Sequence, residues 1–254
     1  MRIVIIGTGN TATVMGRLLK KAQLEIVQVF GNNITRAEVL AKELASLPCS
    51  TWDAINKEAD LYLVAITDTA IYELGRHLSL GNQVVLHTAG SVQMEVLKGI
   101  SNHYGVLYPL QSLRKEMAVL THVPLLVNAS DDETLKIVLR VAQQISSQVS
   151  VVNDEMRLKL HLAAVCMNNF CNHLYEIAED FCSKENVDFK LLLPLAVETA
   201  RRIELVSPSQ VITGPAIRND QLTISRHLQI LQSYPSFYKV YEELTNSIRI
   251  FHSL

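Results

Sequence analysis

The sequence predicts an α/β domain built on a doubly wound, mostly parallel sheet, followed by an all-helical C-terminal domain. Three observations carry this. Short β-branched runs alternate with amphipathic stretches over roughly the first 150 residues. The early runs show little polar alternation, as in strands covered on both faces. From about Asn153 apolar residues recur at helical spacing, and residues 154–184 contain no Gly or Pro. The expected domains are therefore 1–152 and 153–254.

In chain order, strands are predicted at 2–7 (RIVIIG), 25–30 (EIVQVF), 61–66 (LYLVAI), 83–88 (QVVLHT), 104–109 (YGVLYP), 124–129 (PLLVNA) and 148–152 (QVSVV). Between them, 11–22, 35–45 and 69–78 read as helices. Past the boundary, 154–184 reads as one long helix. Further helices are predicted near 187–206, 220–232 and 235–251, punctuated by Pro208, Gly214, Pro215 and Pro235.

Composition narrows the partners. The 254 residues include 23 basic and 25 acidic ones, a net charge of −2, with 48% hydrophobic and 19% charged residues. This is a globular balance with no basic stripe, so neither nucleic acid nor an anionic membrane surface is an expected partner. No apolar run approaches the roughly 20 residues that span a bilayer. MRIVIIGTGN reads as a strand entering a turn, not a signal peptide. Cys49, Cys166, Cys171 and Cys182 lack metal-ligand spacing. They fit buried thiols in a reducing cytoplasm, and no metal site is expected.

Gly7-Thr8-Gly9-Asn10-Thr11-Ala12 follows the first strand and opens the first helix. It is the G-x-G-x-x-A form of the dinucleotide fingerprint. Gly7 permits the tight turn, Gly9 lets a pyrophosphate approach the main chain, and Ala12 lets the helix lie close on the sheet. The N–H groups at the helix start then face the phosphates. At the end of the second strand, where NAD sites place an acidic residue, stand Asn32 and Asn33, followed by Thr35 and Arg36. Without a carboxylate to repel a 2′-phosphate, and with Arg36 and Thr35 to donate to it, the pattern favours NADP(H). Ile66, Thr67 and Asp68 end the strand at 61–66 and are expected beside the cofactor. Asp68 or Thr69 alternatively caps the next helix.

GTGNTA, VAITDTAI (64–71), HTAGS (87–91), YPLQSL (108–113), HLAAVCMNNFCNHLY (161–175), LPLAVETARR (193–202) and TGPAIRND (213–220) recur in a familiar order. Together they resemble a family of Rossmann-like NADP oxidoreductases with a helical C-terminal domain. That family is related to pyrroline-5-carboxylate reductase, the deazaflavin-dependent NADP oxidoreductases and the 6-phosphogluconate-dehydrogenase-like group. The resemblance implies a Rossmann-type fold, a nicotinamide at the C-terminal edge of the sheet, substrate beside the helical domain, and a homodimer through that domain. The substrate-binding Ser/Gly/Thr-rich loop of pyrroline reductase is not evident here. Nor is the Lys–Asn pair of related hydroxyacid dehydrogenases, since Lys159 and Asn169 stand ten residues apart.

Four residues are candidates for chemistry. Ser91 offers a hydroxyl at the turn that relatives bring to the nicotinamide, or else caps a helix. His161 is a candidate general acid, because imidazole titrates near neutral pH. It is expected to share a helical face with Asn168, with Asn172 one turn further and Asn169 adjacent. Asn169 is thus a candidate cleft residue. Arg218, in the Gly-Pro loop, could clamp a carboxylate or phosphate, or pair with Asp220, itself a cap for the following helix. His87, Ser112 and His227 have open roles. The reading is an NADP(H)-dependent oxidoreductase acting on a small carbonyl, imine or deazaflavin, with a non-catalytic NADP(H) sensor as the alternative.

Overall fold

The computed structural model describes residues 1–116 and 123–253. Its strands and helices run β1 (Arg2–Ile6), α1 (Asn10–Lys21), β2 (Glu25–Phe30), α2 (Ile34–Leu44), β3 (Leu47–Cys49), β4 (Leu61–Val64), α3 (Asp68–Glu73), β5 (Gly81–His87), β6 (Ser101–Pro109), β7 (Leu125–Ala129), α4 (Asp132–Ile145) and β8 (Val149–Val151). The eight strands form one sheet in the order β3-β2-β1-β4-β5-β6-β7-β8. Every neighbouring pair is parallel except β6–β7. This is the Rossmann-type order, with β7 and β8 added antiparallel at one edge.

Both faces of the sheet are covered, which is why its strands lack polar alternation. Ile3 and Ile5 of β1, Leu61 and Leu63 of β4, and Leu86 of β5 pack in one cluster with α1, α2 and α4 through Met15, Leu44 and Val138. Val4, Ile6, Tyr62, Val64 and Val85 point the other way, against Ile71, Leu74 and Leu97. β3 was not foreseen. It is three residues long, contains Pro48, and lies at the sheet edge, where a missing N–H is tolerated. α4 also emerges beyond the predicted elements, capped by Asp131, whose carboxylate accepts the Thr134 N–H at 2.8 Å.

The chain continues through α5 (Asp154–Ala164), a π-helical turn (Val165–Phe170), α6 (Cys171–Lys184), α7 (Leu193–Arg202), α8 (Pro208–Val211), α9 (Gln221–Leu231) and α10 (Pro235–Phe251). The run expected as one α-helix over 154–184 thus contains a π turn, which no Gly or Pro announces. Two compact units divide at 169/170, not at the expected 152/153, so α5 has its contacts within the first unit. In the second unit His227 Nδ1 meets the Tyr241 hydroxyl at 2.8 Å, joining α9 to α10. Asp220 caps α9 by accepting the Thr223 N–H at 3.0 Å. Cys49 and Cys182 are buried as expected. Cys166 is exposed and Cys171 half-buried, because both lie on a run with few buried side chains.

Candidate functional site

At the C-terminal end of β1, the Gly7 N–H donates to the Phe30 carbonyl at 2.8 Å, and Gly7 takes a φ of +131°. A Cβ there would lie 2.1 Å from the Ala65 carbonyl oxygen, so the turn admits only glycine. Gly9 differs. It is the N-cap of α1 with φ −82°, provides no side-chain cap, and a Cβ on it would meet nothing within 4 Å. No acidic residue occupies the first turn of α1. The open space over Gly9 and the uncapped N–H groups form a cradle suited to phosphate. Beneath it Ala12 is fully buried, fixing how closely the helix lies on the sheet.

A cleft of about 760 Å³ opens from this corner. Of the residues expected to hold a dinucleotide, Gly7, Thr8, Gly9, Asn10 and Thr11 line it from the turn. Asn32, Asn33 and Arg36 line it past β2, and Ile66, Thr67 and Asp68 past β4. Ala12 and Thr35 do not reach its wall. Asn33 caps α2 by accepting the Arg36 N–H at 3.0 Å, and both residues line the cleft. Residues outside the glycine motif complete the wall. Trp52 packs against Phe30 (centroids 4.0 Å apart, planes at 31°) and stacks on His77 (5.2 Å, 7°), and all three line the cleft.

Neither Asp68 nor Thr69 is the cap of α3. Thr67 is its N-cap, without a side-chain bond, and Asp68 instead accepts the Ser91 hydroxyl. Ser91 is exposed and lines neither this cleft nor the next, and it caps no helix.

A second cleft of about 550 Å³ shares Thr11 and Thr88 with the first, so the two are adjacent. His161 and Asn169 line it with Asn168, Tyr108, Gln111 and Ser112. His161 Nδ1 meets the Tyr108 hydroxyl at 2.9 Å, with the rings edge-to-face at 5.9 Å. Burial pushes the Tyr108 phenol above its usual range, so it keeps its proton at neutral pH. Asn168 and Asn169, both within the π turn, line the cleft. Asn172, expected on the same face, is not part of the lining.

Gly90 joins the clefts. It lines the first, and a Cβ on it would lie 2.6 Å from His161 Nδ1 and 3.0 Å from Tyr108 Cζ. Its turn is held by Arg157, which is 1% exposed. Arg157 donates Nε–H to the Gly90 carbonyl at 3.3 Å and Nη2–H to the Val92 carbonyl, and pairs with Asp154 at 2.5 Å. Asp154 in turn accepts the Met94 N–H at 2.9 Å. The sequence did not single out Arg157, which sits between Met156 and Leu158 like an ordinary surface cation. His87 is fully buried, and its Nδ1 accepts the Ala89 N–H at 3.1 Å. Burial and the neighbouring Arg157 lower its pKa to about 4, so it is neutral at pH 7 and serves the turn as an acceptor. Arg218 belongs to the second unit, exposed in the loop before α9, where its charge helps keep Asp220 ionised.

Fold and corner together define a Rossmann-type α/β protein with a helical C-terminal part. Across 97% of both chains it is 36% identical to a Bacteroides fragilis protein described as an NADP oxidoreductase, with a TM-score of 0.92. The chain belongs to the same family, that of Rossmann-like NADP oxidoreductases with a helical C-terminal domain. Residues 123–248 match the family model "Domain of unknown function (DUF2520)". The fold also matches a pyrroline-5-carboxylate reductase from Streptococcus pyogenes (12% identity, 98% of both chains, TM-score 0.67). A reductive aminase from Aspergillus terreus, solved with NADPH and ethyl-5-oxohexanoate, matches at 16% identity over 98% of this chain and 92% of that one, with a TM-score of 0.69. No curated protein matches the chain. Among the described residues no helix is long and apolar enough to cross a membrane.

Proposed function

We propose that this protein is an NADP(H)-dependent oxidoreductase of the cytoplasm, reducing a small carbonyl, imine or deazaflavin. The observation that carries the reading is the adjacency of the two clefts: a glycine corner shaped for pyrophosphate shares Thr11 and Thr88 with a cleft whose wall bears a Tyr–His pair. The first-turn N–H groups of α1 hold the phosphates. Arg36, with Asn32 and Asn33, receives the 2′-phosphate. NADPH, when bound, supplies the hydride. Tyr108 and His161 then hold the proton that goes to the substrate oxygen or nitrogen as its carbon accepts hydride. Asn169 orients the substrate beside them. Ser91 fixes Asp68 at the rim of the cofactor cleft.

The second unit supports a homodimer. It exposes large apolar side chains such as Leu191 (72%), Leu205 (85%) and Phe251 (81%), while Cys182, Ala216, Ile224 and Leu231 are its buried hydrophobic residues. Faces this apolar call for a covering surface.

The test is NADPH oxidation followed at 340 nm over a panel of small oxo compounds, imines and deazaflavins. Tyr108→Phe and His161→Gln should each lower kcat at least tenfold while leaving the Kd for NADPH unchanged. Retained kcat in both variants, or no turnover across the panel, sinks the reading.

A further inference from the structure

The second cleft carries information about its ligand that the fold alone does not, and the argument rests on the oxidoreductase reading for its placement of the substrate. Its polar groups are neutral amides and hydroxyls: Gln111, Ser112, Asn168 and Asn169, beside the Tyr108–His161 pair. The remaining wall is apolar apart from Thr11 and Thr88, built of side chains such as Leu160 and Met167. Among the described residues lining it there is no Arg, Lys, Asp or Glu.

We infer that the substrate is uncharged where it meets this cleft: a neutral carbonyl or imine compound bearing an amide or hydroxyl group, not an oxo-acid. A carboxylate moved into this wall gives up hydration and meets no Arg or Lys in return. An amide or hydroxyl finds complementary partners instead, because Asn and Gln side chains both donate and accept. Gln111 is already oriented for this. Its Oε1 accepts the Ser112 N–H at 2.9 Å, which turns its NH2 group to donor duty. His161 Nδ1 is engaged by Tyr108, so the imidazole serves the reacting atom and not a distant carboxylate.

The experiment measures binding as well as turnover. Matched pairs of 2-oxo acids and their amides, and of cyclic imines with and without a carboxylate, are titrated calorimetrically into the NADP+-loaded protein. The neutral member of at least one pair should bind tenfold or more tightly than its acid. Gln111→Arg should narrow or reverse that ratio by supplying the missing cation. Equal or tighter binding of the acids overturns the inference. So does binding of neither class. Neutral-selective binding without turnover counts against the oxidoreductase reading alone and leaves the cleft's preference standing.

Discussion

Gly7 and Gly9 lie two residues apart in one motif, yet the structure gives them opposite duties, and two substitutions separate these. In Gly7→Ala the new methyl lies 2.1 Å from the Ala65 carbonyl oxygen, on a backbone with φ +131°. Strain of about 1–3 kcal/mol for the dihedral and a similar amount for the overlap give roughly 2–6 kcal/mol. That lowers Tm by roughly 5–20 °C in a chain of this size. In Gly9→Ala the methyl enters open space at φ −82°. Stability should change by less than about 0.5 kcal/mol. The pyrophosphate, however, is pushed off one or two main-chain N–H groups, each charge-assisted bond being worth about 1.5–3 kcal/mol. For one such bond the Kd for NADPH rises about 10- to 150-fold. Thermal unfolding gives the first quantity. Quenching of Trp52, the single tryptophan of the chain and part of the cleft wall, gives the second. The reasoning is refuted if Gly9→Ala binds NADPH as tightly as the parent, or if it unfolds as early as Gly7→Ala.

Three other outcomes can be checked. Arg36→Ala should weaken NADPH by about 1.5–3 kcal/mol and barely change NADH, as read in parallel titrations. Arg157→Met leaves Asp154 and two carbonyls without their buried donor, so urea unfolding should show a loss of about 3–5 kcal/mol. For His87, the folded pKa of about 4 lies below the unfolded value of about 6.5. The unfolded chain therefore takes up the proton first as pH falls. The contribution of His87 is complete above pH 6.5 and is lost on acidification toward pH 4, about 3 kcal/mol in all. Denaturation curves at pH 7 and pH 5 should show this slope in the parent and a shallower one in His87→Gln.

The sheet was legible because its interior is repetitive. β-branched runs two-sided in burial, each followed by an amphipathic stretch, leave few alternatives, and the glycine corner fixes where the order begins. What escaped notice obeys other physics. β3 is short and edge-bound, so Pro48 at its centre reads as a turn. The π turn at 165–170 has no breaker residue, and helical periodicity there looks unbroken. The wall of the first cleft was half legible: Asn32, Asn33 and Arg36 follow from the motif's spacing. Trp52 and His77 arrive through tertiary packing from segments with no motif of their own. Tyr108 belonged to a recognised stretch, but its bond to His161 spans 53 residues, and no local pattern encodes that. Ser91 and Arg218, chosen for their chemistry and their place in the family's motifs, line neither cleft.

The missing side chain of Gly90 has a last consequence. The same main chain lines the first chamber and leaves room for the imidazole of the second. A side chain at position 90 would therefore disturb both chambers at once. Changes elsewhere in either wall can be made separately.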